Sequence, residues 1–149
     1  MVLVALSLGL VTQAGCDLTR FTANSTATMF ARASSGLERH FDYELVGDAL
    51  PGSIMQLEGV FSVVPDNEVL GITLMRAYTS YTFGWVEDRV AQAQDRGDLD
   101  EEERITGRAR ILYERARNIG IHLMRLRDPG IDAVLTGGHT GFVTYINQR

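Results

Sequence analysis

Apolar side chains recur every three or four positions along most of this chain, and the longest pattern of this kind runs from Pro51 to about Arg96. Such spacing places apolar residues on one face of a helix. We expect Pro51 to open the first helix, because a first-turn residue does not need the N–H that proline lacks. Pro65 is expected to end it, since the residue before a proline avoids helical geometry. The face consists of Ile54, Leu57, Phe61 and Val64.

A second helix is predicted directly after this turn, and it runs to Arg96. Asp66 or Asn67 can cap its start, and Glu68 favours the positive end of the helix dipole. Two helices joined by so short a turn must pack side by side, and apolar faces this broad need further helices as partners. The second face comprises Leu70, Leu74, Ala77, Tyr81 and Trp85.

A third helix is predicted over residues 100–127, after a break at Gly97-Asp98. Seven of the 14 arginines lie on it, and we interpret them as a solvated face paired with glutamates such as Glu101, Glu103 and Glu114, the alternative being an anion-binding or docking strip. Its apolar positions alternate steps of four and three, as in a packing seam. They are Ile105, Ala109, Leu112, Ala116, Ile119, Leu123 and Leu126.

The flanking segments give weaker patterns. A helix is predicted over 28–41 with Met29, Ala33, Leu37 and Phe41 on one face, followed by a linker or short helical turn over 42–50. Residues 136–141, rich in glycine, are expected to form a loop. The sequence therefore predicts an all-α protein of stacked antiparallel helix pairs, which we expect to be a fragment or a short member of a longer helical protein.

Composition narrows the function classes. The formal net charge is −5, which disfavours a nucleic-acid partner. Every basic residue other than histidine is arginine, so the chain has no lysine for a phosphate-binding loop, a Schiff base or general-base catalysis. The histidines have no metal-ligand spacing, and we expect neither a metal site nor a cofactor.

The start of the sequence resembles an export signal. Residues 1–15 carry no charge and contain an apolar run of about ten residues, the size of a signal-peptide core and too short to cross a bilayer. Ala14-Gly15-Cys16 resembles a lipobox, the motif whose cysteine becomes the lipidated first residue of the mature protein. Cys16 is therefore the expected lipidation site. The predicted organisation is a signal peptide at 1–15, a tether at 16–27 and a helical domain at 28–149. An ordinary cleaved signal and a buried N-terminal segment are the alternatives.

The candidate site residues lie in the central helix pair. Glu58 and Glu87 are carboxylates in mostly apolar helices, where each either pairs with an arginine such as Arg76 or Arg89 or lines a cavity. The aromatic residues of the second helix either fill the core or line a ligand groove. These are Tyr78, Tyr81, Phe83 and Trp85.

Several short segments together carry a family resemblance. They are Phe41-Asp42-Tyr43-Glu44, Leu50-Pro51, Leu57-Glu58-Gly59, Pro65-Asp66-Asn67 and Tyr78-x-x-Tyr81-x-Phe83-Gly84-x-Val86-Glu87. In this combination they resemble the T component of TRAP transporters, over residues 38–147. Pro65-Asp66-Asn67 with the apolar positions after it is also similar to half of a tetratricopeptide repeat.

The resemblance implies a tetratricopeptide-like α-solenoid, a partial one, on the periplasmic face of a bacterial membrane, with inner or outer membrane left open. It implies a non-enzymatic accessory that docks the substrate-binding protein of a TRAP uptake system, forms oligomers and offers a cleft to an organic-anion or apolar ligand. Glu58, Tyr78, Tyr81, Trp85 and Glu87 are then the candidate binding residues. The alternatives are a tetratricopeptide lipoprotein that scaffolds an envelope complex, and a small helical enzyme using Glu58 or Glu87.

Overall fold

The computed structural model describes residues 18–34, 36 and 39–147. The predicted signal peptide and Cys16 lie outside this part of the chain. Within it the secondary structure is helical and contains no strand, which confirms the all-α prediction. The helices are α1 (18–34), α2 (Tyr43–Val63), α3 (Glu68–Tyr81), α4 (Glu87–Arg96), α5 (Leu99–Arg127), α6 (Ile131–Thr136) and α7 (Gly138–Asn147), with a π-helical turn, Thr82–Val86, between α3 and α4. Stacking as a tetratricopeptide-like solenoid stays a prediction.

The first helix of the central pair begins earlier than predicted. Asp42 caps α2 by accepting a hydrogen bond from the Leu45 amide at 3.0 Å, so Pro51 lies inside the helix. Of the two alternatives for residues 42–50, the linker is wrong, and the segment is helical from Tyr43 onward. An internal proline removes one hydrogen bond within the helix. Packing of Val46 and Leu50, each 8% exposed, helps to hold the two turns before it.

The core forms where α2, α3 and α5 meet. The predicted faces of all three helices point into it, apart from Leu126, which is 51% exposed. Leu70 and Leu74 of α3 are fully buried at its centre. The connection between α2 and α3 is as predicted, with Asn67 accepting a hydrogen bond from the Leu70 amide at 2.9 Å. The core also includes Ile54, Leu57 and Phe61 from α2 and Ile105, Ala109, Ala116, Ile119 and Leu123 from α5.

Helices α3 and α5 are antiparallel and closely packed. A Cβ atom at Gly71 would lie 2.9 Å from a methyl carbon of Leu123, and one at Gly120 would lie 3.1 Å from the Met75 sulfur. Glycine at these positions lets the helix surfaces approach more closely than larger residues would allow. The start of α5 is as predicted, with Gly97 in left-handed geometry (φ 67°) and Asp98 as the cap.

Helix α1 differs from the sequence prediction in both position and face. Residues 18–27, expected as part of a tether, are helical, and Ala27 is fully buried. Ala23 and Phe30 also pack on the core, whereas Met29 and Phe41 of the predicted face are 61% and 94% exposed. Small residues such as Ala23 and Ala27 let α1 lie close to the other helices, and a pattern of large apolar residues does not reveal such a face.

The last two helices follow a sharp corner at the end of α5. The Asp128 carboxylate accepts a hydrogen bond from the Gly130 amide at 2.9 Å, and Ile131 of α6 is fully buried. The predicted glycine-rich loop over 136–141 is wrong except at Gly137, because α6 includes Thr136 and α7 begins at Gly138. Among the described helices, none combines the length and the apolar character needed to cross a bilayer.

Candidate functional site

An open groove of about 550 Å³ lies between α1, α2 and α3. Helix α3 provides one wall, because six of its residues from Val69 to Ser80 follow one another at steps of one and three along a single face. Residues of α2 at steps of three and four provide the opposite wall, and the end of α1 adds a third side. The lining comprises Ala31, Ser34, His40, Tyr43, Val46, Leu50, Val69, Ile72, Thr73, Arg76, Ala77, Ser80 and Trp85.

Trp85 closes one end of the groove. Its ring stacks on that of Tyr43 with a centroid separation of 4.7 Å, and its indole N–H donates to the Tyr43 carbonyl at 3.2 Å. The Tyr43 hydroxyl in turn donates to the Gly84 carbonyl. The start of α2 and the π-helical turn are thus joined by contacts in both directions.

Gly47 makes room for this arrangement. A Cβ atom at position 47 would fall inside the space of the Trp85 indole ring. The glycine lies within α2, in the segment for which a linker was one of the two alternatives, and lets the aromatic ring rest directly on the helix backbone.

The π-helical turn sets the direction of Trp85. Such turns interrupt regular α-helical register and occur frequently at functional sites. Here the hydroxyl of Thr82, a fully buried residue, donates to the Tyr78 carbonyl at 2.7 Å, while Val86 enters the core with 1% exposure. The interruption brings both Trp85 and Val86 to packed positions. The apolar spacing of the sequence assumes a regular α-helix and therefore could not predict this π-helical turn.

The groove combines an apolar surface with a cationic side chain. Val69 and Ile72 are 56% and 39% exposed, so the lining presents apolar area to solvent. Arg76, Thr73 and Ser80 line the same surface of α3, and the Thr73 hydroxyl donates to the Val69 carbonyl at 2.8 Å. The arrangement suits a small molecule with an apolar body and an anionic or hydrogen-bonding end. Arg76, which from sequence was a possible partner for Glu58 or Glu87, lines the groove.

Glu58 belongs to a different cluster, between α2, α3 and α5. Both its oxygens accept hydrogen bonds from Arg115 at 2.6 Å, and one also accepts from the Tyr78 hydroxyl at 2.8 Å. The hydrogen bonds from Arg115 lower the pKa of Glu58. Burial and the carboxylate raise the pKa of Tyr78 to about 12. The expectation of pairing with an arginine holds, although the arginine is Arg115 and not Arg76 or Arg89.

Glu87 lies in a third location, at the start of α4. It accepts a hydrogen bond from the Tyr113 hydroxyl at 2.8 Å, and burial together with this bond raises the pKa of Tyr113 to about 12. Tyr81 is in the core, 4% exposed, with the Arg108 guanidinium 5.9 Å from its ring centre. Of the five candidate residues, only Trp85 lines the groove.

The arginines of α5 act mainly as structural partners. Arg104 pairs with Glu101 as predicted, and Arg110 lies 3.8 Å from Glu114. Others reach across to neighbouring helices, Arg115 to Glu58 and Arg127 to Glu68. The interpretation of this face as a paired, solvated surface therefore describes Arg104 and Arg110, whereas Arg115 and Arg127 join α5 to α2 and α3.

One protein-family model matches most of the chain. The family model of the TRAP transporter T-component matches residues 39–146, which include α2 through nearly all of α7. Searches of curated proteins and of solved structures give no significant match. The matched region contains the groove walls from α2 and α3, Trp85 and the core that supports them. The chain belongs to the TRAP transporter T-component family, whose members are accessory components of TRAP transport.

Proposed function

We propose that this protein is a lipid-anchored accessory on the periplasmic face of the membrane, which docks the substrate-binding protein of its TRAP system and holds a small ligand in the groove. The single observation that carries the ligand part is the groove itself, with exposed apolar side chains, Arg76 and the Trp85 end wall on one continuous surface. The export signal and Ala14-Gly15-Cys16 support the anchor.

The chemistry of the groove supports an amphipathic ligand. Burial of apolar ligand surface against Val69, Ile72 and Ala77 contributes about 25 cal/mol per Å². A carboxylate or similar group gains charge-assisted hydrogen bonds from an arginine, which are stronger than those between neutral groups. We therefore propose an organic anion with an apolar body as the ligand class.

Filling the groove is expected to abolish this binding. Ala77→Trp would place an indole in the space between α2 and α3, and we expect the affinity for anilinonaphthalene sulfonate, an apolar anion, to fall about tenfold or more. Probe fluorescence measures the effect. Thr79→Trp is the matched control, because Thr79 is exposed on the same helix and does not line the groove.

Equal probe affinity in the wild type and in Ala77→Trp would contradict binding in the groove. Probe fluorescence that appears with the wild type and with Ala77→Trp only when each protein unfolds would also contradict binding in the groove. Circular dichroism on each variant separates the two outcomes.

Docking is tested with each TRAP substrate-binding protein that the neighbouring genes encode. We expect a complex with a Kd in the micromolar range or tighter, the range of transient interfaces, measured by calorimetry with purified proteins. Failure of every neighbouring substrate-binding protein to bind, with and without its substrate, would refute the docking role. A partner of another kind would favour the scaffold alternative.

A further inference from the structure

The indole of Trp85, at the end of the groove, is fixed from several sides. It stacks on the Tyr43 ring with a centroid separation of 4.7 Å, and its N–H donates to the Tyr43 carbonyl at 3.2 Å. The ring of Tyr81 lies 6.3 Å away in a nearly parallel orientation. At position 47 there is no room for a Cβ atom beside the indole. While these contacts hold, the indole stays at one place along the groove.

Two features that place the indole are unfavourable in a regular helix. Gly47 lies inside α2, where glycine gives less helix stability than alanine. The π-helical turn that carries Trp85 interrupts the α-helical register, and such turns are rare and occur frequently at functional sites. Both features serve the position of one side chain that lines the groove, which indicates that this position matters for what the groove holds.

The part of the groove between Arg76 and Trp85, which we call the upper segment, has walls on two sides. Val46 and Leu50 of α2 lie on one side, and Ala77 of α3 lies on the other. Val46 and Leu50 are each 8% exposed, so they form an apolar floor at the level of the core. An alkyl chain in this segment would be shielded from water by both helices.

The part of the groove on the other side of Arg76 is more open. Its lining residues Val69, Ile72 and Thr73 all belong to α3, and Val69 and Ile72 are 56% and 39% exposed. The free energy gained by an apolar chain grows with the area that it removes from water. An anion held at Arg76 therefore gains more when its chain extends toward Trp85 than when it extends the other way.

We propose that Trp85 limits the length of the ligand, so that the groove selects organic anions with a medium-length alkyl part. This role rests on the proposed binding of an apolar anion in the groove. From Arg76 to Trp85 the helix rises by about 13 Å, at about 1.5 Å per residue. With C–C bonds of about 1.5 Å, an extended alkyl chain advances about 1.3 Å per carbon, so the upper segment holds about eight to ten carbons. A longer chain meets the indole and has to bend out into water.

A series of chain lengths tests the limit. Straight-chain carboxylates are used below their micelle concentrations to displace anilinonaphthalene sulfonate from the purified protein. We expect the affinity to rise about fourfold with each added methylene and to level off beyond about ten carbons, because further carbons stay in water.

Trp85→Ala should move this break to chains about three or four carbons longer, which is the depth of the indole. Trp85→Phe keeps an aromatic ring against Tyr43 and should move the break by about one or two carbons. Phe83→Ala is the matched control, because Phe83 belongs to the same π-helical turn, is 71% exposed and is not among the residues that line the groove. Circular dichroism shows whether each variant is folded, and Trp85→Phe decides if Trp85→Ala is not.

Gly47→Ala gives an independent readout, because it displaces the indole and leaves Trp85 in the sequence. We expect the break to move to longer chains, as in Trp85→Ala. Gly52→Ala should keep the break of the wild type, since a Cβ atom there meets nothing within 4 Å. A Gly47→Ala protein that loses stability but keeps the break would refute the role of Gly47 in placing the indole.

An affinity that rises through the whole series without a break would overturn the length limit, and so would a break at the same length in the wild type and in the folded Trp85 variants. If Ala77→Trp still abolishes probe binding, either result leaves the groove as the binding site. Failure of every carboxylate to displace the probe, with equal probe affinity in Ala77→Trp, would refute ligand binding in the groove and the length limit with it.

Discussion

Gly47→Ala is expected to destabilise the protein by about 1–3 kcal/mol, although alanine is the better helix former. The added methyl group would occupy the space of the Trp85 indole, which must leave α2 and lose its hydrogen bond to the Tyr43 carbonyl. The end wall of the groove would open as a result. Urea denaturation measures the loss, and Trp85, the only tryptophan of the sequence, should show red-shifted emission from greater contact with water.

Gly52→Ala is the matched control. Gly52 lies on the same helix, and a Cβ atom there meets nothing within 4 Å. We expect this variant to gain about 0.5–1 kcal/mol, since alanine costs less conformational entropy than glycine in a helix. Equal effects of the two substitutions would show that Gly47 does not serve to seat Trp85.

Glu58→Ala is expected to cost about 1–3 kcal/mol, because the Tyr78 hydroxyl and the Arg115 guanidinium both lose their acceptor. Tyr78 is 8% exposed, so water replaces the carboxylate poorly there. Glu114→Ala provides the comparison. Its pair with Arg110 is exposed, and exposed pairs contribute about 0–1 kcal/mol. A loss at Glu58 no larger than at Glu114 would contradict a joining role for the cluster.

The same cluster predicts how stability depends on pH. Hydrogen bonds from Arg115 hold the pKa of Glu58 below its ordinary value of about 4.3. A carboxyl group whose pKa is lowered by folding stabilises the protein fully above the unfolded value, and this contribution disappears as pH falls through the folded value. The difference in unfolding free energy between the wild type and Glu58→Gln should therefore be constant near neutral pH and shrink below about pH 4.

Most of the helical framework could be predicted from sequence. The faces of the central helix pair and the seam of α5 follow from apolar periodicity, and the caps at Asn67 and Asp98 follow from local side-chain chemistry. These signals depend on neighbouring residues, so helices and caps can be predicted without knowledge of the fold. The predictions failed where tertiary packing outweighed a local preference, as at Pro51 inside α2 and in the glycine-rich start of α7.

The groove was only partly predictable. Trp85 stood out as an aromatic residue in a helix, but its partner Tyr43 lies 42 positions earlier, and no periodicity links the two. The role of Gly47 can be recognised only from the packing of the Trp85 indole against it. Glu58 was expected to pair with an arginine, but the choice of Arg115 required the packing of α5 beside α2.

The sequence by itself determined that this chain is helical, which helix faces are apolar and which family the chain resembles. Helix spacing, capping residues and motifs each depend on residues that lie close together in the chain. Only the tertiary structure decided which side chains share the groove and which carboxylates accept hydrogen bonds from distant side chains. These depend on contacts between residues far apart in the chain, and packing, not local preference, selects them.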